Sequence, residues 1–94
     1  MELVRGGDRA ALIVEVRDVD FTRHTVIWRA TAPEGVRLEP SSGTVTVVGA
    51  QGASHQVTVT ATAAATAGGH RIVLDFRLTD GTALTSAYVH VTVG

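Results

Sequence analysis

The sequence predicts an all-β protein, a single Ig-like or fibronectin type III-like antiparallel β-sandwich of about seven strands. Three observations predict it. Apolar and polar residues alternate with period two along most of the chain, the pattern of strands that bury one face. Clusters of Gly, Pro, Ser and Asp break that alternation at the spacing of an all-β sandwich. The Ala-rich stretch "ATAAATAGG" is too short to nucleate a helix alone, so it reads as a connection with at most one turn.

Each element follows from its own pattern. "AALIVEVR" sets Leu12, Val14 and Val16 on one face against Ile13, Glu15 and Arg17. "HTVIWRAT" turns Val26, Trp28 and Ala30 inward and Arg29 outward. "VRLEP" pairs Val36 with Leu38, and "GTVTVVG" pairs Val45 with Val47. "HQVTVTAT" alternates strictly, with Val57, Val59 and Ala61 inward. "HRIVLDFRLT" sets Ile72, Leu74, Phe76 and Leu78 inward and Arg71, Asp75 and Arg77 outward. "SAYVHVTV" sets Ala87, Val89, Val91 and Val93 inward and Tyr88, His90 and Thr92 outward. Between strands, "PSSG" suits a type I turn with Pro at the first corner, and "TDGTAL" reads as a hairpin loop. Strands with one apolar face bury it most simply against a second sheet, and the lone Trp28 sits where such sandwiches place a large core aromatic.

Composition narrows the function. The 94 residues are one domain's worth, with a formal net charge of −1. All eight cationic side chains are Arg, and they are scattered from Arg5 to Arg77. That balance gives no reason to expect nucleic acid or an anionic membrane as a partner. The absence of Cys excludes disulfides, thiolate metal sites and Cys nucleophiles. No apolar run approaches the roughly 20 residues of a membrane span, and "MELVRGG" lacks the apolar core of a signal peptide. Residues 1–94 are therefore read as one domain cut from a larger multidomain protein.

The side chains offer little catalysis. Ser41, Ser42, Ser54 and Ser86 lie outside any Gly-x-Ser-x-Gly elbow. His24, His55, His70 and His90 lack the spacing of a metal pair and read as exposed strand-end residues. "RDVDF" holds the one Asp-x-Asp, so Asp18 and Asp20 are the candidates for a structural calcium ion against the plainer reading of a solvated turn. Of the four aromatics, Trp28 and Phe76 have inward parity and Phe21 lies in a turn, which leaves Tyr88 as the outward aromatic, with His90 on the same face and Arg71 or Arg77 across the hairpin. Tyr88 and His90 are the candidate ligand-binding residues. No catalytic residue, no metal beyond that calcium candidate and no cofactor is expected.

The phrases "APEGVRLEPSSGTVTV" and "HQVTVTATAAATAGGHRIVLDFRLTDGTALTSAYVHVTV" resemble the NEW-type accessory domain of bacterial, actinobacterial glycoside hydrolases. The likeness covers Thr31 to Val93 and departs from the family at "GGHRI", where His70 takes the place of a Tyr. The resemblance implies a non-catalytic, extracellular module that spaces or docks the catalytic domain of its parent chain. Two alternatives stand beside it: a carbohydrate-binding module working through Tyr88 and His90, and a protein-interaction or adhesion domain working through an edge strand, "VRLEP" or the last strand.

Overall fold

Strands form wherever the alternation lies. The computed structural model of the protein describes residues 1–16, 23–48 and 52–94, with Arg23 described by its backbone alone. Asp18, Asp20 and Phe21 lie outside the described residues. The strands are β1 (Glu2–Leu3), β2 (Asp8–Val16), β3 (Arg23–Thr31), β4 (Val36–Glu39), β5 (Ser42–Val48), β6 (Ala53–Ala61), β7 (Gly68–Leu78) and β8 (Ala87–Val93). They build a five-stranded sheet in the order β1-β8-β7-β3-β5 and a three-stranded sheet in the order β2-β6-β4. The protein is thus an all-β, Ig-like sandwich. The Ala-rich connection between β6 and β7 is a turn, as its length requires.

Seven of the strands match the alternation, and their inward parity is correct almost throughout. Val14, Val26, Trp28, Val45, Val47, Val57, Val59, Ile72, Leu74, Val91 and Val93 are buried. Ala87 is the exception: it opens β8 beyond the end of the core and is exposed. The eighth strand, β1, has two residues and so no periodicity to read. It pairs in parallel with β8, Glu2 with Thr92 and Leu3 with Val93, and this buries Leu3.

Two glycines are fixed by what lies above them. Gly43 sits inside β5, opposite Trp28 of β3. A Cβ there would stand 2.8 Å from the indole Nε1 and 2.9 Å from Cε2 and Cζ2. The strand needs a residue without a side chain at this point because a fully buried indole (0% exposed) already fills the space. Gly43 is therefore not the last corner of a type I turn, and the Glu39–Pro40 peptide that precedes it is cis. Gly35 has φ of 83° and closes a turn in which the Val36 amide donates to the Pro33 carbonyl at 3.1 Å. A positive φ at the third position is what a type II turn demands. The Gly35 carbonyl then accepts from the amide and hydroxyl of Thr62, at 2.9 and 2.6 Å. That docking seats the Ala-rich connection and buries Ala65.

The closing hairpin joins β7 to β8 with a kink. Leu74 pairs with Ala87, whereas Arg77 pairs with Ala83, so four steps on one side oppose three on the other. The extra residue is a β-bulge. It carries Ser86 to Asp75, where the hydroxyl donates to the carboxylate at 2.7 Å.

Candidate functional site

The outer face of the five-stranded sheet collects the exposed side chains that have recognition chemistry. Period-two alternation in β3, β7 and β8 fixes which residues point outward, and strand pairing sets their neighbours. Tyr88 of β8 stands opposite Val73 of β7, which stands opposite Thr31 of β3. His90 stands opposite Arg71. Arg29 lies between Asp75 and Ser42, and Ile27 between Arg77 and Thr44. The result is an open, four-strand-wide surface on which Tyr88 and Val73 are apolar neighbours, and Ile27 is a separate apolar position beyond the cross-strand Arg29–Asp75 pair.

The centre is a short stack. The Arg71 guanidinium lies over the Tyr88 ring, 4.8 Å from its centroid. His90 meets the same ring edge-on at 5.7 Å, with planes at 89°. A guanidinium over an aromatic face gains from the ring quadrupole. An edge-to-face pair is one of the favoured aromatic arrangements. These contacts orient Tyr88 although it is 58% exposed. Val73 and Ile27 are also exposed, at 37% and 36%. Among the described residues, Arg29, Arg71 and Arg77 form no ion pair, and Asp75 is the one carboxylate in the middle of the face. The surface thus interleaves exposed apolar positions with three Arg residues, and the cross-strand Arg29–Asp75 pair separates Val73 from Ile27.

The structure brings Tyr88, His90 and Arg71 together, as outward parity on a shared hairpin requires. Arg77 lies further along β7, beside Ile27, and not over Tyr88. Ile27 and Arg29 belong to the same surface but carry no local sign of it, since β3 is far from β7 in sequence. The calcium candidates Asp18 and Asp20 lie outside the described residues. Among the described residues, no group of three or more His, Asp or Glu is placed to hold a metal ion. The histidines are not all exposed strand ends. His24, His55 and His70 are half-buried, and the His55 ring packs 5.5 Å from that of Trp28. His55 shares the inward side of its strand with Val57, which explains the contact.

Elsewhere the surface offers open depressions. One of about 300 Å³ lies beside His24, Thr25 and Asp80, and one of about 290 Å³ beside Glu15, Val16, Phe76 and Leu84. The Asp80 carboxylate accepts from the Thr82 amide at 2.8 Å. The Thr82 side chain and that amide hold its pKa below the ordinary value of 3.8. Of the edge strands named from sequence, β4 is an edge, but β8 is covered at its end by β1.

No family model matches the chain, and neither does any curated protein. Solved structures do. SSP-19, an MSP-domain-like protein of Caenorhabditis elegans, aligns with a TM-score of 0.63 at 15% identity, over 97% of this chain and 91% of that one. WR4, an MSP family member of C. elegans, aligns with a TM-score of 0.64 at 10% identity, over 99% of this chain and 92% of that one. At such identities the likeness establishes the fold. It also overturns the resemblance to the NEW-type domain of bacterial glycoside hydrolases, and with it the reading as an accessory module of such an enzyme. The reason is physical. The phrases behind that resemblance are demands of the sandwich: Gly43 clears Trp28, Gly35 meets Ala65, and the Thr rows solvate the outer faces. A catalytic partner domain and an extracellular location were implied by that resemblance alone, and they lose their support with it.

Proposed function

We propose that this protein is a non-catalytic recognition domain that binds an acidic, apolar-bearing segment of a partner protein across the outer face of its five-stranded sheet. The observation that carries this reading is the oriented trio of Arg71, Tyr88 and His90 beside exposed Val73. Tyr and Arg are the residue types enriched where interface energy concentrates. Arg29, Arg71 and Arg77 outnumber Asp75 on this face, which favours carboxylates on the partner. An open sheet face suits an extended segment better than it suits a small molecule, which needs a concave site. The guanidinium over Tyr88 also covers a ring face on which a sugar would stack.

The test is selection from a random peptide library, followed by NMR titration of the best binders. Enriched peptides should combine Asp or Glu with aromatic or aliphatic residues. Their shift changes should centre on Ile27, Arg29, Arg71, Val73, Tyr88 and His90. Tyr88→Ala and Arg71→Ala should each weaken binding by about tenfold or more. Shift changes confined to another surface would refute the reading. Saturable glycan binding lost in Tyr88→Ala would replace it with a carbohydrate-binding role.

A further inference from the structure

We propose that a second copy of this chain pairs with the free edge of β2, giving a two-fold dimer whose smaller sheets join into one of six strands, β4-β6-β2-β2-β6-β4. This inference concerns the opposite sheet from the recognition face and does not depend on it.

The first observation is that, among the described residues, β2 is a long edge with no strand on its free side. Its register with β6 runs unbroken from Asp8–Ala61 to Val16–Ala53, so one side is fully paired and no bulge twists the other side away. Folded proteins blunt such edges with Pro, bulges, inward charges or very short strands. From Arg9 to Val16 there is no Pro and no inward-facing charge. The other edges are managed. β1 has two residues, β4 has four and stops at Pro40, and β5 contains Gly43.

The second observation is that the outward face of β2 is complementary to itself. Its outward residues are Arg9, Ala11, Ile13 and Glu15. An antiparallel pairing with the two-fold at Leu12 opposes residues whose numbers are symmetric about that position. Arg9 then faces Glu15 of the partner subunit, and Ala11 faces Ile13 of the partner subunit. Each contact occurs twice by symmetry, as an isologous interface requires. Opposite charges directly across an antiparallel pair stabilise it, and like charges there destabilise it. Among the described residues Arg9 forms no ion pair, and Ile13 is 55% exposed. Pairing covers Ile13 and gives Arg9 a carboxylate; a carboxylate accepts from several donors at once. Inside the sheet the same register sets Leu12 beside Leu12 of the partner subunit, so apolar residues meet apolar residues on both faces.

A single strand pair is smaller than the roughly 1,600 Å² of a standard interface, so the dimer should be weak and concentration-dependent. Sedimentation equilibrium of the chain, from about 10 μM to about 1 mM, spans that range. The expected result is a mass rising from the protomer's 9.8 kDa toward double that value. Arg9→Glu alone and Glu15→Arg alone should each weaken dimerisation about tenfold, because two attractive pairs become repulsive. The double exchange Arg9→Glu/Glu15→Arg should restore it to within about threefold. Thr46→Glu on the β5 edge should leave it unchanged. A monomer at every concentration overturns the proposal. So do single reversals without effect, a double exchange that fails to restore the dimer, or a dimer abolished by Thr46→Glu.

Discussion

Replacing Gly43 by Ala adds one methyl group to β5, and the position of that methyl decides the sign of the effect. In an open extended strand, Gly→Ala stabilises by about 0.4–1 kcal/mol, because the unfolded chain loses freedom. Here the new carbon would lie 2.8–2.9 Å from three atoms of the Trp28 indole. Ordinary contact begins near 3.4 Å, so the ring must retreat by about half an ångström or more. It cannot retreat freely: Trp28 is wholly buried, within the core cluster that holds Val26, Val47 and Ile72. Overpacking a tight core costs about 1–3 kcal/mol, and a rigid ring belongs at the upper end. For a domain of this size that lowers Tm by roughly 5–20 °C. The assay is urea denaturation of a double-mutant cycle. Trp28→Phe removes the indole nitrogen from under residue 43. Gly43→Ala should therefore be neutral or stabilising when Trp28→Phe is already present, with a coupling energy of about 2 kcal/mol. Equal destabilisation in both backgrounds would refute the steric account.

Other substitutions separate causes in the same way. Gly35→Ala combines a φ of 83° with a Cβ that would run into the Ala65 amide nitrogen, whereas Gly81→Ala has a φ of 92° and open space. Calorimetry should show about 1–2 kcal/mol for Gly81→Ala and clearly more for Gly35→Ala; equal losses would mean that the docking of the Ala-rich connection contributes nothing. Ile72→Ala, at a fully buried position, should cost about 2–5 kcal/mol by chemical denaturation, while Ile13→Ala in dilute protein should cost under about 1 kcal/mol. Asp80 has a folded-state pKa below its unfolded value of 3.8, so its contribution is present above that pH and lost as the pH falls through the folded value. Acid titration of stability should thus show a smaller drop below pH 3.8 in Asp80→Asn than in the parent protein; identical acid limbs would show that the Thr82 contacts do not act on folding.

Much of this architecture is legible in the sequence because period two reports faces directly. It assigns Trp28 and Ile72 inward and Tyr88 and His90 outward without knowledge of any partner strand. It is silent on neighbours. Nothing near Ile27 or Arg29 says that β3 lies beside β7, so half of the candidate face emerges only from the pairing. Short or singular features escape for a related reason. β1 has too few residues to show a period, and Ala65 is buried by docking against the Gly35 turn, not by alternation. Gly43 shows how one residue can satisfy two readings: a turn glycine by its company of Pro and Ser, a strand glycine by its neighbour across the sheet. The same ambiguity underlies the overturned family resemblance, since phrases shaped by packing recur wherever the packing does.

The strand order carries a consequence for synthesis. From β1 to β7 every successive strand lies in the other sheet, and only β7 and β8 are neighbours in both sequence and space. As the chain leaves the ribosome, each strand up to β7 therefore finds any hydrogen-bonding partner already made at least two strands back. The five-stranded sheet also has a gap at its middle until β7 emerges, because β7 is what joins β3 to β8 and so to β1. A nascent chain stalled before Gly68 would expose the free side of β3 along with β2 and β5. Because the hairpin that closes the sheet comes after all the other strands, the β1–β8 unit can complete its fold only once β8 has been made.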